Sequence, residues 1–151
     1  MSGLVVVDAS MALKWIVMEP YTPEARALLA QWTADGRSVF APSLICSEIA
    51  NALYKRVRRS EFTVDEATQF MSTFLLISIN LIADPAIAAR ALELAAQFGL
   101  KAAYDAHYIA LAEREGCELW TADECLWNSV KDRLGWVHWI GNAQPQSQSQ
   151  P

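Results

Sequence analysis

The stretch Leu4-Val5-Val6-Val7-Asp8 decides the fold, because it is a short, β-branched and uninterrupted apolar run that ends in a carboxylate. A run of this length without polar alternation predicts a strand buried on both faces, as in a parallel sheet. We predict this strand over residues 3–8, and four more at 38–41, 79–83, 117–121 and 136–140. Helical segments separate the five runs, so right-handed crossovers should build an α/β fold whose mostly parallel sheet is covered on both faces.

Capping and turn residues mark where these helices begin and end. Thr63 and Glu66 have the spacing of a capping box, and Gly99 and Gly116 are placed to stop two other helices. Ser10 could cap the first helix or orient Asp8, and we favour capping. The predicted helices cover residues 10–17, 22–34, 43–59, 64–77, 84–98, 103–115 and 124–133.

Length and composition predict one domain over residues 1–141, followed by a polar Gln- and Ser-rich tail at 142–151 that we expect to be disordered. The hydrophobic fraction of 53% requires a well-filled core, or a partner that covers an apolar patch. No apolar run approaches the ~20 residues needed to span a bilayer, and the first residues do not resemble a signal peptide. Three cysteines without a C-x-x-C pair are typical of reduced proteins, so we expect a cytoplasmic protein with no membrane association.

Four acidic residues occupy positions that need a chemical reason. Asp8 and Asp123 each follow an apolar strand, where open parallel sheets bind their ligands. Asp105 lies on the apolar stripe of a helix, and Glu48 lies at the margin of another helix's apolar face. Carboxylates brought together away from water repel one another, and a divalent ion held by oxygen ligands is the usual compensation.

Each acid also has a purely structural interpretation. Asp123 is a favoured N-cap residue, although Thr121 could cap equally well, and Asp8 precedes a helix start. Asp105 could be a first-turn acid that stabilises the helix dipole, but its apolar face argues against a surface position. Glu48 is unremarkable as a helix former. The structural interpretation is therefore weakest for Asp105.

The net charge of −5 argues against phosphate binding through bulk positive charge, unless a metal ion reverses the sign locally. The one basic block is Lys55-Arg56-Val57-Arg58-Arg59. Asn51, Lys55 and Arg59 follow Glu48 at offsets that place them near one helix face. This ridge is either solvated surface or a strip that holds a phosphate backbone. The two histidines lack metal-ligand spacing, which disfavours zinc and favours Mg²⁺ or Mn²⁺.

Four segments in this order resemble the motifs of the PIN-domain family, most closely the VapC-type ribonuclease toxins of prokaryotic toxin–antitoxin pairs. They are Val5–Ser10, Ser47–Leu53, Tyr104–Ala112 and Thr121–Glu124. The resemblance implies a three-layer α/β/α sandwich, a Mg²⁺- or Mn²⁺-dependent endoribonuclease, a homodimer and inhibition by a cognate antitoxin protein. It also implies Asp8 and Asp105 as metal ligands, Glu48 and Asp123 as the other site acids, and a hydroxyl residue at Thr121.

We therefore predict hydrolysis of RNA by an in-line water, leaving a 5′-phosphate and a 3′-hydroxyl. Asp8, Glu48, Asp105 and Asp123 are the predicted catalytic residues, Ser10 and Thr121 support them, and Lys55 and Arg59 hold the RNA backbone. Two alternatives remain. A receiver-type phosphoaspartate domain also has an acidic pocket, but it needs a lysine at the end of its last strand, where this chain has Trp136–Gly141. A non-catalytic PIN-like binding module would use the groove only to receive an antitoxin.

Overall fold

Strands and helices alternate through the part of the chain that the structure, a computed structural model, describes, which is residues 3–143. The strands are β1 (Leu4–Val7), β2 (Ser38–Pro42), β3 (Ile79–Ile82), β4 (Glu118–Thr121) and β5 (Val137–Trp139). The helices are α1 (Ala9–Ile16), α2 (Thr22–Ala34), α3 (Ile45–Arg58), α4 (Val64–Leu76), α5 (Ile87–Phe98), α6 (Ala103–Glu115) and α7 (Glu124–Val130). Of the tail predicted over residues 142–151, Asn142 belongs to a short 3-10 helix (Ile140–Asn142), contrary to the prediction, and residues 144–151 lie outside the described residues.

The five strands form one sheet in the order β3-β2-β1-β4-β5, and every neighbouring pair is parallel. Val6 in the central strand is in register with Phe40 on one side and Leu119 on the other. The chain first moves outward from β1 through β2 to β3, and then crosses back to β4 and β5. The direction of winding therefore reverses between β1 and β4, which is where open parallel sheets bind ligands beyond their carboxyl ends.

Helices cover both faces of this sheet and give the predicted three-layer sandwich. Helix α1 contacts α2, α3 and α4, and α3 contacts α4, whereas α5 and α6 pack against each other and α6 also packs on β1, β2 and β4. The apolar run Val5–Val7 is completely buried, as its composition predicts, and so are Ile109 and Leu111 on α6. Among residues 3–143, no helix is both long and apolar enough to cross a membrane.

Most helix ends follow the local signals in the sequence. Thr63 and Glu66 form the predicted capping box, and Gly99 and Gly116 end α5 and α6 with φ angles of 62°. Three helix boundaries differ from the prediction by two residues or more, and one of them is the start of α5, which lies at Ile87 rather than at residue 84. Helix α3 begins at Ile45 rather than at residue 43, and α7 ends at Val130, with residues 131–133 forming a turn instead of a last helical turn.

Candidate active site

A cavity of about 660 Å³ is lined by all four of the predicted acids. Asp8 directly follows β1, and Asp123 lies between β4 and α7. Glu48 and Asp105 project from the first turns of α3 and α6. Four elements that are distant in sequence thus place carboxylates around one cavity, at the point where the winding of the sheet reverses.

Asp8 is the most buried of these acids, with a relative exposure of 5%. Its Oδ1 accepts hydrogen bonds from the Ser10 hydroxyl at 2.7 Å and the Met11 backbone N–H at 2.9 Å. Its Oδ2 accepts one from the Thr121 hydroxyl at 2.5 Å. Burial raises the pKa of Asp8 to about 6, although the three hydrogen bonds oppose this shift.

The preference for Ser10 as a helix cap is wrong, because Asp8 caps α1 through Met11. Ser10 already lies inside the helix, where its hydroxyl donates to Asp8 and accepts from the Ala122 backbone N–H at 2.9 Å. Thr121 likewise accepts from the Asp123 backbone N–H at 3.0 Å. The two hydroxyl groups therefore join the end of β1 to the turn that carries Asp123.

Asp123 caps α7, since its Oδ1 accepts a hydrogen bond from the Leu126 backbone N–H at 3.2 Å. Its other carboxylate oxygen makes no hydrogen bond within residues 3–143. The structural and functional interpretations of Asp123 are thus compatible, because capping occupies only one of its oxygens. The other oxygen remains available to a ligand.

Asp105 is half-buried, and its carboxylate forms no hydrogen bond or ion pair with any other residue that the structure describes. Burial raises its pKa, and the negative charge of Asp123 raises it further, while Lys101 opposes both effects. A carboxylate that is partly desolvated, beside a second negative charge and without a partner, is poorly satisfied by the protein alone. A bound cation would offset this unpaired negative charge directly.

Glu48 has a partner that the sequence interpretation missed. The Tyr108 hydroxyl donates a hydrogen bond of 2.6 Å to Glu48 Oε1, and Tyr108 is only 1% exposed. Burial raises the pKa of Glu48 and Asp105 raises it further, while the bond from Tyr108 opposes both. The available signal was that a buried phenol requires a hydrogen-bond partner.

Lys55 and Arg59, the two residues predicted to hold the RNA backbone, differ in their position relative to the cavity. Lys55 and Asn51 line the cavity, whereas Arg59 does not and lies exposed at the carboxyl end of α3. The histidines also lie away from the cavity wall. His107 Nδ1 is 2.7 Å from the Ala103 carbonyl oxygen, and His138 pairs with Glu118 at 3.3 Å.

The donor set suits a hard divalent ion, because the acidic side of the cavity offers only oxygen ligands. Within residues 3–143 no three His, Cys, Asp or Glu side chains form a ready-made metal cluster. Mg²⁺ does not need one, since it commonly retains several waters and binds through one or two carboxylates. Asp105 and the second oxygen of Asp123 are the least satisfied donors, so the residues present fit such an ion.

The chain is similar to known proteins in both sequence and fold. Residues 5–128 match the family model of the PIN domain. A VapC ribonuclease of Mycobacterium bovis is 31% identical over 120 residues, which cover 80% of this chain and 86% of that protein. The crystal structure of PAE2754 from Pyrobaculum aerophilum matches with a TM-score of 0.66 at 26% identity, over 88% of this chain and 81% of that one. The Mycobacterium tuberculosis toxin VapC20, which cleaves the sarcin-ricin loop, shares the fold with a TM-score of 0.64 at 14% identity, over 83% and 95% of the two chains.

Proposed function

The chain belongs to the PIN-domain family, and from this membership we propose that it is a divalent-metal-dependent endoribonuclease and the toxin of a toxin–antitoxin pair. One observation carries the proposal: four carboxylates from four separate elements line a single cavity at the switch point of the sheet. Relatives named as VapC ribonucleases support RNA as the substrate. RNA cleavage is supported by these relatives, and the metal dependence is supported by the oxygen ligands that line the cavity.

We assign Asp8 and Asp105 as the residues that hold Mg²⁺ or Mn²⁺, with the second oxygen of Asp123 available to the same ion. When bound, the ion supplies charge neutralisation at the phosphate and lowers the pKa of a coordinated water. The hydroxyls of Ser10 and Thr121 fix both oxygens of Asp8, so this carboxylate is oriented before any ligand arrives. Asp105 has no competing partner among the described residues, and is therefore free to bind.

Glu48 and Asp123 are the candidates for positioning or deprotonating the attacking water. The hydrogen bond from Tyr108 holds Glu48 at the cavity wall, and the cap of α7 holds Asp123. In-line attack on phosphorus would leave a 5′-phosphate and a 3′-hydroxyl. Lys55 lies on the cavity wall where a phosphate oxygen could meet its ammonium group, and Arg59 would contact the backbone farther along α3.

The partners follow from the same proposal. A toxin must be neutralised in the cell that makes it, so we propose a cognate antitoxin protein that covers the cavity. We also propose a homodimer. Its support is an apolar surface at the edge of the sheet, where Leu75 and Leu76 end α4 and Leu81 lies on strand β3, all exposed. Light scattering of the purified chain measures this assembly directly.

The test of catalysis uses labelled single-stranded RNA, purified protein and a titration of Mg²⁺ or Mn²⁺ after treatment with EDTA. The wild type should cleave only with metal, and Asp105→Asn should lose at least 100-fold of this activity while remaining folded. Asp65→Asn is the matched control, because Asp65 is an exposed acid in the first turn of α4. Metal-dependent cleavage that survives in Asp105→Asn contradicts the site assignment, and a wild type without cleavage favours a non-catalytic binding module.

A further inference from the structure

The cavity lining includes apolar residues that the catalytic proposal does not use. They are Ala9, Leu13, Leu44, Ala52, Ala102 and Tyr104. Tyr104 is unusual among them, because 64% of this large aromatic residue is exposed. It immediately precedes Asp105 in the first turn of α6, so an exposed aromatic side chain and a site carboxylate share one helix end.

Packing does not account for this exposure. Within residues 3–143, the Tyr104 ring forms no aromatic pair, and its hydroxyl makes no hydrogen bond. Four residues later on the same helix, Tyr108 shows what a structural tyrosine looks like here, since it is buried and bonded to Glu48. Tyr104 thus holds a hydrophobic surface in water at the cavity, which costs free energy unless a ligand covers it.

We propose, on the basis of the function above, that Tyr104 stacks on a nucleobase next to the scissile phosphate of single-stranded RNA. A nucleotide joins an anionic phosphate to a flat apolar base, and the cavity offers oxygen ligands beside apolar walls. Lys55 adds a positive charge to the same cavity, where the backbone would continue. Stacking accepts any base because every base has a π-face, so the contact adds affinity with little sequence preference.

Removal of the ring should weaken RNA binding about 5- to 140-fold, the range that base–aromatic stacking commonly provides. Binding of a short labelled RNA is measured by fluorescence anisotropy in the Asp105→Asn background with Mg²⁺, where the RNA should stay intact. Tyr104→Ala should show the loss, and Tyr104→Phe should retain wild-type affinity. Tyr54→Ala is the matched control, because Tyr54 is 59% exposed but does not line the cavity.

A series of RNAs with one abasic site each then locates the stacked base. At that position the abasic RNA should bind weakly to the parent protein, and Tyr104→Ala should cause no further loss. Equal RNA affinity of Tyr104→Ala and the parent overturns the proposal, as does a loss that no abasic position removes. A variant that binds RNA normally but escapes antitoxin inhibition would make Tyr104 a protein contact, which also overturns it. Cleavage by the wild type is measured separately, so failure of the nuclease assignment is distinguished from failure of stacking.

Discussion

Replacement of Asp8 by asparagine should stabilise the fold while removing a carboxylate from the site. Burial raises the pKa of Asp8 from its ordinary value of 3.8 to about 6 in the folded protein. The folded state therefore binds the carboxyl proton of Asp8 more tightly than the unfolded state. The stability that this proton contributes is fully present below pH 3.8 and is lost as the pH rises through about 6. This rise in the pKa of Asp8 corresponds to about 3 kcal/mol of lost stability at neutral pH.

Asparagine should avoid this loss because it is neutral and has almost the same shape. Asn is as good an N-cap as Asp, so the bond from the Met11 backbone N–H can persist. The amide group would face the Thr121 hydroxyl, which can turn its proton toward Ser10 Oγ, 3.2 Å away. We expect Asp8→Asn to gain up to about 3 kcal/mol at pH 7, which corresponds to roughly 6–12 °C in Tm for a chain of this size.

Urea unfolding from pH 4.5 to pH 8 in EDTA measures the effect, with Asp65→Asn as the control for an exposed acid. The difference between Asp8→Asn and the wild type should shrink from about 3 kcal/mol at pH 7 to about 1 kcal/mol at pH 4.5. Added Mg²⁺ should narrow the difference at pH 7, because an ion that binds only the folded wild type stabilises it. An Asp8→Asn protein that is no more stable than the wild type at pH 7, or a difference that does not change with pH, refutes the reasoning.

Two further predictions concern catalysis and RNA binding. Tyr108→Phe removes a hydrogen bond to the Glu48 carboxylate, so kcat should fall about 10- to 140-fold with little change in KM. The same substitution in a Glu48→Gln background should have no further effect on kcat. Equal losses in both backgrounds would mean that Tyr108 acts independently of Glu48. Lys55→Ala should raise KM for RNA and reduce the salt dependence of binding by about one phosphate contact, with a smaller effect for Arg59→Ala, which lies outside the cavity wall. Binding isotherms at several salt concentrations give the slope of the logarithm of RNA affinity against the logarithm of salt concentration. An unchanged slope for Lys55→Ala contradicts the assignment of Lys55 to a phosphate.

The fold could be predicted from the sequence because its signals are local. The run at Val5–Val7 is apolar without alternation, which only a strand covered on both faces satisfies. The capping box at Thr63 and the stop at Gly99 depend on residues within one helical turn. The error at Ser10 has a local and a distant cause. Asp8, one residue before the helix, already caps α1, and the Ser10 hydroxyl accepts a hydrogen bond from Ala122 in the turn after β4.

The site was predictable only in part for the same reason. Asp8 and Asp123 follow strands, and parallel topology brings strand ends to one edge, so their proximity follows from the fold. The bond between Tyr108 and Glu48 joins residues 60 positions apart, and the bond between Thr121 and Asp8 spans 113 positions. No periodicity in a single segment encodes such pairs. Their existence could be suspected only from the rule that buried hydroxyls need partners.

Helix capping and the proposed catalytic role are compatible explanations for the aspartates at the starts of α1 and α7. Asp8 and Asp123 each accept a backbone N–H through one oxygen, which fixes the carboxylate in place. The helix start also supplies partial positive charge, which reduces the cost of gathering acids in one cavity. A cap therefore lowers the free energy of assembling the site and orients its ligands. It follows that the cap made by one oxygen of Asp123 is compatible with the proposed role of its other oxygen at the site.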